Sequence, residues 1–323
     1  MVSPLDASDG GRSPASPVAG AARPILHEVG PRDGLQMERE VVPLDVKEAW
    51  IREAMAAGLD VVQVGSFVHP EKVPQMADTD ELFRRLGETP HPGVVLSGLV
   101  LNEKGLERGL ACGVEMFCMG ASASDTHSRR NSGMGTDEAT RRIVSAAEAA
   151  VRAGLRVQMS VQSAFGCGFE GPVAHERVLA MVRTYLDAGH RHVSLADTAG
   201  HAHPGQVERL FGEVLEMAPD VECACHFHNT YGLGMANVFA ALRVGVTSFE
   251  ASFAGLGGCP FTKVAAGNVA TEDLVHALQL EGLRQDVDLG RLVALARRVA
   301  GHFARRLPGL VHATGPIPAG SAA

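Results

Sequence analysis

The chain has 323 residues, of which 46% are hydrophobic, enough to bury a large core. A net charge of −8 argues against a nucleic-acid-binding surface, and no apolar run reaches the roughly 18 residues of a membrane span. Residues 1–22 are rich in Ser, Pro, Gly and Ala and lack an apolar segment, which predicts a disordered leader rather than a secretory signal. We therefore expect a cytoplasmic protein in which Cys112, Cys118, Cys223 and Cys225 are reduced and mostly buried, whereas Cys167 and Cys259 lie in glycine-rich loops.

Short β-branched apolar runs alternate with longer amphipathic runs, a pattern that predicts parallel strands joined by helices. The predicted strands are 25–29, 61–64, 93–100, 114–119, 156–161, 192–196, 221–227 and 246–250. The predicted helices are 44–57, 103–111, 136–153 (with Thr136 as its N-cap), 173–188, 204–217, 234–244, 271–280 and 289–306. Eight such units predict one (β/α)₈ barrel domain over residues 23–311, with a doubly wound open sheet as the alternative. Residues 308–323 are expected to be extended or disordered, with 312–323 as a flexible tail.

A pair of histidines ends the seventh predicted strand, in the sequence His226-Phe-His228. Successive side chains of a strand point to opposite faces, so the two imidazoles share one side. Neutral imidazole is a common metal ligand, and the pair indicates a metal site. The alternative is that two polar histidines simply border the mouth of a core strand.

A carboxylate follows the first predicted strand, in Arg32-Asp33, and lies at the same end of the predicted barrel as the histidines. Asp33 with two imidazoles suits Mg²⁺ or Mn²⁺ better than a closed structural zinc site. Arg32 beside such a site is suited to stabilise an oxyanion. A local ion pair between Arg32 and Asp33 is an equally simple interpretation.

Other polar residues follow the remaining strands. Gln63 ends the second strand and can form hydrogen bonds without acting as a base. Asp197, after the sixth strand, is either an acid–base group or the cap of a turn. The glycine-rich loop 254–261 carries Cys259, which is either a proton donor from a loop that closes over the site or an inert residue in a tight turn. Asn268 offers a neutral oxygen ligand.

Six motifs together resemble the 3-hydroxy-3-methylglutaryl-CoA (HMG-CoA) lyase family. They are Glu28-Val-Gly-Pro-Arg-Asp-Gly-Leu-Gln36, Ser66-Phe-Val68, Val73-Pro-Gln-Met-Ala-Asp78, His226-Phe-His228, Gly255-Leu-Gly-Gly-Cys-Pro260 and Gly267-Asn-Val-Ala-Thr-Glu-Asp273. They stand in the family's order, and the resemblance covers about residues 24–311.

The resemblance implies a TIM barrel that cleaves HMG-CoA into acetyl-CoA and acetoacetate. It implies a Mg²⁺ or Mn²⁺ ion held by Asp33, His226, His228 and Asn268. It also implies that Arg32 polarises the thioester carbonyl and that Cys259 takes part in acid–base chemistry. The expected base is His226 or Asp197. Gln36 and Gln63 are expected in the substrate pocket. The expected partner is an acyl-CoA thioester, and the expected assembly is a homodimer.

Three departures from the family pattern lie near the predicted site. Gln63 stands where the family usually has Glu, Asn229 where Asp is commoner, and residues 261–266 read Phe-Thr-Lys-Val-Ala-Ala where Tyr-Ala-Lys-Gly-Ala-Ser is commoner. This pattern keeps open a lyase for another substrate, such as citramalyl-CoA or a longer 3-hydroxyglutaryl-CoA. A condensing synthase and a catalytically weak barrel that only binds acyl-CoA are further alternatives.

Overall fold

A closed barrel of eight parallel strands forms the centre of the protein, whose structure, a computed structural model, describes residues 22–258 and 267–318. The strands are β1 (Ile25–Glu28), β2 (Val61–Ser66), β3 (Val95–Leu99), β4 (Met116–Ser122), β5 (Arg156–Gln162), β6 (His192–Asp197), β7 (Glu222–Phe227) and β8 (Ser248–Ala251). The first and last strands pair in parallel, with Ile25 opposite Ser248, so the sheet closes on itself. The predicted barrel is confirmed, and the open sheet is excluded.

Eleven α-helices are found in the described part of the chain. They are α1 (Leu44–Ala56), α2 (Thr79–Gly87), α3 (Glu103–Ala111), α4 (Asp125–Ser132), α5 (Thr136–Arg152), α6 (His175–Asp187), α7 (Pro204–Met217), α8 (Gly234–Arg243), α9 (Thr271–Leu280), α10 (Leu289–Phe303) and α11 (Val311–Thr314). None of them is both long enough and apolar enough to cross a membrane.

Three helices lie where the sequence predicted none. Helix α2 is amphipathic and buries Leu82 and Phe83, whereas α4 is polar on all sides and has no apolar periodicity. Helix α11 lies in the segment expected to be extended or disordered, so that prediction is wrong for these residues: the carboxylate of Asp273 binds the backbone N–H of Val311 at 2.7 Å and holds the helix start. The predicted N-cap Thr136 is also wrong, since it is the first helical residue and Gly135 precedes it.

The interior of the barrel is mostly polar, whereas its outside is apolar. Outward side chains of β6 and β7, including Leu195, Cys223 and Cys225, join the large core between strands and helices, as expected for the two cysteines. Inside the barrel, the described residues include a small apolar cluster of Val61, Met116 and Cys118. Above it lie buried polar side chains, among them His27, Gln63, Ser97, Gln158, Ser194 and Glu250. Barrel interiors are usually packed with Val, Ile and Leu, so this polar interior indicates a functional site. The cysteines among the described residues are free of disulfides.

Candidate active site

The two histidines of the seventh strand face each other at the carboxyl end of the barrel. His226 lies near the end of β7 and His228 just beyond it, and their Nε2 atoms are 3.1 Å apart. Both side chains are buried. Alternation along the strand therefore brings the two imidazoles together, as the sequence predicted.

The second nitrogen of each ring fixes how the ring is protonated. His228 Nδ1 lies 3.0 Å from the carbonyl oxygen of Thr198, and His226 Nδ1 lies 2.8 Å from a carboxylate oxygen of Glu250. Both partners accept hydrogen bonds, so each Nδ1 carries the proton and each Nε2 of a neutral ring presents a lone pair. Two lone pairs at 3.1 Å repel each other unless a cation or a proton lies between them. The arrangement fits a bound cation.

Asp33 completes a group of three donors. Its Oδ2 lies 3.8 Å from His226 Nε2 and 3.7 Å from His228 Nε2. Burial alone would raise the pKa of Asp33, but the guanidinium of Arg32 beside it holds that pKa well below its usual range. The carboxylate is therefore ionised, and the three donor atoms lie within 4.8 Å of one another. A tight turn at Gly30–Gly34, in which the Val29 carbonyl accepts the N–H of Asp33 at 2.7 Å, directs this side chain towards the histidines.

Asn268 lies against the same carboxylate. Its Nδ2 donates to Asp33 Oδ2 at 2.8 Å and to the Leu256 carbonyl at 2.9 Å. Its Oδ1 is buried and has no hydrogen-bond partner among the described residues, which leaves an oxygen free for a further ligand. The side chain thus positions Asp33 directly, while its predicted role as a metal ligand stays a prediction.

Arg32 joins the carboxylate to the second strand. Its Nη1 donates to Asp33 Oδ1 at 2.5 Å, and its Nε donates to Gln63 Oε1. The register of β2 against β3 shifts between Gln63 and Gly65, an irregularity of the kind that redirects side chains beside active sites. Because Gln63 is neutral, Asp33 is the carboxylate that pairs directly with the guanidinium. The expected ion pair is present, in a position that also suits an oxyanion partner.

Glu250 is a residue of the candidate site that the sequence analysis missed. Its carboxylate accepts hydrogen bonds from His226 Nδ1, from Gln158 Nε2 at 2.6 Å and from Ser194 Oγ at 3.4 Å. Burial would raise the pKa of Glu250, but the hydrogen bond from His226 lowers it to about 2. The available signal was a glutamate inside a buried strand, since a buried carboxylate requires a partner.

A cavity of about 290 Å³ opens beside these residues at the carboxyl end of the barrel. Its lining includes Arg32, Asp33, Gln36, Gln63, Gln158, His226, His228 and Glu250, with apolar walls at Val68, Leu99, Leu101 and Met119. Gln36 Oε1 is buried and has no partner among the described residues. The structure therefore brings both predicted pocket glutamines, Gln36 and Gln63, to one cavity.

Asp197 is arranged differently from these residues. Its two carboxylate oxygens accept the backbone N–H groups of His201 at 2.8 Å and Ala202 at 3.1 Å. Its neighbours Ala196 and Thr198 line the cavity, but Asp197 is not among the described lining residues. Burial raises the pKa of Asp197. These contacts support the turn-capping alternative, and the acid–base role stays a prediction.

Cys259 lies outside the described residues, as do residues 261–266, where the sequence departs from the family pattern. Gly258, the residue before the cysteine, lines the cavity. Asn229, the third departure, uses its Oδ1 to accept the Gly234 N–H at 2.9 Å and so holds the start of α8.

Comparison with known proteins identifies the family. The sequence profile described as HMGL-like matches residues 23–299. The chain belongs to this family. A hydroxymethylglutaryl-CoA lyase of Pseudomonas mevalonii is 40% identical over 278 residues, 86% of this chain and 92% of that protein. An (R)-citramalyl-CoA lyase of Chloroflexus aurantiacus is 39% identical over 298 residues, 90% of this chain and 94% of that protein.

Solved structures of HMGL-like proteins share the same barrel. An HMG-CoA lyase from Acinetobacter baumannii, in complex with coenzyme A and 3-methylmalate, matches with a TM-score of 0.86 at 35% identity, over 92% of this chain and 96% of that one. A hydroxymethylglutaryl-CoA lyase from Pseudomonas aeruginosa matches with a TM-score of 0.84 at 37% identity, over 90% of this chain and 96% of that one. The family resemblance read from the six motifs is confirmed.

Proposed function

We propose that this protein is a divalent-metal-dependent carbon–carbon lyase that cleaves HMG-CoA into acetyl-CoA and acetoacetate. The observation that carries the proposal is the group of Asp33, His226 and His228, which lies beside Arg32 in a cavity at the carboxyl end of the barrel. The relatives named as hydroxymethylglutaryl-CoA lyases, 35% and 40% identical over most of this chain, support it.

We assign the metal to Asp33, His226 and His228, with Asn268 Oδ1 as a fourth ligand. One carboxylate, two imidazoles and an amide oxygen suit Mg²⁺ or Mn²⁺. The unpartnered Oδ1 of Asn268 and the facing lone pairs of the histidines support this assignment. A bound divalent ion would lower the pKa of the substrate hydroxyl and orient it.

The reaction breaks the bond between C2 and C3 of the 3-hydroxy thioester. The hydroxyl gives up its proton, its oxygen becomes the ketone oxygen of acetoacetate, and the electron pair of the broken bond forms the enolate of acetyl-CoA. The guanidinium of Arg32 stabilises the enolate oxygen. Cys259 then donates its thiol proton to C2 and becomes a thiolate.

The proton acceptor for the hydroxyl is constrained by the geometry. His226 donates to Glu250 through Nδ1, so Nε2 holds its remaining lone pair. That lone pair either binds a metal or takes a proton. His226 therefore acts as the base only while its Nε2 is off the metal. With His226 on the metal, the hydroxyl proton goes to Asp197, the other candidate, whose two oxygens each accept one backbone N–H and keep a second lone pair.

Citramalyl-CoA is the second candidate substrate. The (R)-citramalyl-CoA lyase relative is 39% identical over 90% of this chain, and Gln63 stands where HMG-CoA lyases usually have Glu. The same bond cleavage would give acetyl-CoA and pyruvate. Dimeric assembly and a cytoplasmic location also remain predictions, and light scattering of the purified protein tests the first.

A mass-spectrometric assay separates the two substrates. Purified protein with Mg²⁺ or Mn²⁺ is offered HMG-CoA and, separately, citramalyl-CoA, each with an EDTA control. We expect acetyl-CoA and acetoacetate from HMG-CoA, and we expect both to disappear with EDTA. Cleavage of citramalyl-CoA alone would keep the mechanism and change the substrate. No cleavage of either compound by protein that has bound metal would refute the proposal.

A further inference from the structure

The C-terminal segment, residues 307–314, lies against the backbone that follows β8. Gly309 N–H donates to the Ala254 carbonyl at 2.9 Å. The carboxylate of Asp273 fixes the start of α11, and Arg297 Nε binds the His312 carbonyl at 2.7 Å. A segment that the sequence suggested to be extended is thus fastened to α9, α10 and the β8 connection.

A buried histidine–glutamate pair links this segment to the same backbone. His312 Nδ1 lies 2.9 Å from Glu272 Oε1, and the other oxygen of Glu272 accepts the Ala254 N–H at 3.0 Å. His312 is 7% exposed and Glu272 is 0% exposed. Burial raises the pKa of Glu272 above its usual value. The carboxylate of Glu272 therefore connects the C-terminal segment to Ala254: one of its oxygens binds His312, and the other binds the Ala254 N–H.

Ala254 is in a conformation that needs external support. Its φ is +55°, in the left-handed region that is unfavourable for a residue with a Cβ atom. Its N–H is held by Glu272 and its carbonyl by Gly309, both from outside its own turn. Such a conformation persists when its surroundings over-determine it.

The bend at Ala254 leads directly to the candidate metal site. Two residues later, the Leu256 carbonyl accepts the Asn268 amide N–H at 2.9 Å, and the same Nδ2 donates to Asp33 Oδ2 at 2.8 Å. The backbone at Gly255 packs closely against the backbone at Gly267, since a Cβ atom added to Gly267 would lie 1.6 Å from the Gly255 carbonyl oxygen. A change of backbone conformation at Ala254 would therefore move the partner of Asn268 and, through it, Asp33.

We propose that His312 is a positioning residue for the metal site. By holding Glu272, it keeps Ala254 in the left-handed conformation and so fixes the hydrogen bonds from Leu256 through Asn268 to Asp33. The inference rests on the proposed function, because it takes Asp33 as a metal ligand. His312 is not among the described residues that line the cavity, and its side chain binds Glu272, so we expect its effect to pass through this series of hydrogen bonds.

The test measures Mn²⁺ affinity of metal-free protein by electron paramagnetic resonance. Loss of an outer partner of a metal ligand typically weakens binding about 10- to 100-fold, and for His312→Ala, which acts further out, we expect roughly tenfold. His312→Asn should restore most of the affinity, because its amide N–H replaces the Nδ1 donor. His190→Ala is the matched control: His190 is similarly buried, at 6% exposed, but lies just before β6 at the other end of the barrel.

Both alanine variants should melt at a lower temperature than the wild type, but His312→Ala alone should lose Mn²⁺ affinity and turnover. Wild-type affinity in His312→Ala, or an equal loss in His190→Ala, would overturn the inference. If His312→Ala does not fold, Asp273→Ala releases the start of α11 from the surface, and unchanged Mn²⁺ affinity in that variant would overturn it as well. Wild-type protein that binds no Mn²⁺ would instead refute the proposed metal site itself.

Discussion

The Glu250→Gln substitution tests how the candidate metal site is held, because it keeps the size of the side chain and removes its charge. One oxygen of Glu250 now accepts from Gln158 and Ser194, and the other accepts from His226 Nδ1 at 2.8 Å. An amide has one oxygen and one NH₂ group. If the amide oxygen accepts the hydrogen bonds of Gln158 and Ser194, the NH₂ group lies against His226 Nδ1. Because the NH₂ group is a donor, Nδ1 must then be the acceptor, and the proton of the imidazole moves to Nε2.

A proton on Nε2 prevents His226 from binding a metal. If Gln158 turns its amide over instead, His226 keeps its protonation, but it loses the carboxylate that makes it a stronger ligand. Mutation of a residue that forms a hydrogen bond to a metal ligand typically weakens metal binding about 10- to 100-fold, which corresponds to about 1.4–2.7 kcal/mol of binding free energy. We therefore expect Glu250→Gln to weaken Mn²⁺ binding by at least tenfold in either arrangement.

The assay is Mn²⁺ titration of EDTA-treated protein, followed by electron paramagnetic resonance, with Ser194→Ala as the matched control. Ser194 contacts the same carboxylate at 3.4 Å but, among the described hydrogen bonds, forms none to His226, so its loss should change the affinity less than about twofold. Nuclear magnetic resonance of ¹⁵N-labelled histidine in the metal-free protein reports which ring nitrogen carries the proton. Glu250→Gln protein with wild-type Mn²⁺ affinity would refute the role that we assign to this carboxylate.

Four further predictions concern the site and the interior. His228→Ala removes a candidate ligand, so turnover should collapse and excess Mn²⁺ should rescue it poorly; wild-type turnover at low metal would rule the site out. Cys259→Ser should lower kcat more than it changes KM, and an unchanged kcat would leave the thiol a structural role. Gln63→Glu should raise activity on HMG-CoA if that is the true substrate, as the acetyl-CoA assay measures. Burial lowers the pKa of His27 to about 4, whereas the ordinary pKa of a histidine is about 6.5. As the pH falls below 6.5, His27 is therefore protonated in the unfolded chain before it is protonated in the folded protein, and the folded protein loses stability. Between pH 7 and pH 5 this should cost roughly 2 kcal/mol of unfolding free energy, and denaturant titrations of His27→Gln should show a smaller loss.

The barrel could be predicted because its strands and most helices carry the expected periodicity. Helix α4 could not, since it has no apolar stripe: it is fixed by the Ser124 side chain at its start and by Gly133, with φ of +77°, at its end. Helix α11 has four residues and depends on Asp273, which is 38 positions away from Val311. Contacts of that kind are invisible to local patterns.

The candidate site was predictable where the chemistry stands at strand ends. His226, His228 and Asp33 come together as expected, because the carboxyl ends of parallel strands meet on one face of the barrel. The position of Asp197 was less predictable, because β6 runs one residue further than expected and includes it. Successive side chains of a strand point to opposite faces, so Asp197 lies on the other face of β6 from Ala196, which lines the cavity. Glu250 was missed because a residue in the middle of a barrel has partners from several distant strands.

The exchange at position 63 changes the charge balance around Arg32. The carboxylate of Glu250 accepts a hydrogen bond from His226, so Asp33 is the ionised group that pairs with the guanidinium of Arg32. Gln63 also binds Arg32, but it adds no charge. A glutamate at this position would neutralise Arg32 further and repel a second anion nearby. In citramalyl-CoA the carboxylate is attached to C3 itself, whereas in HMG-CoA it lies one carbon further away. A neutral side chain beside Arg32 therefore favours the substrate whose carboxylate comes nearer to the reacting carbon, and the ratio of kcat/KM for the two thioesters in Gln63→Glu and wild-type protein measures that preference.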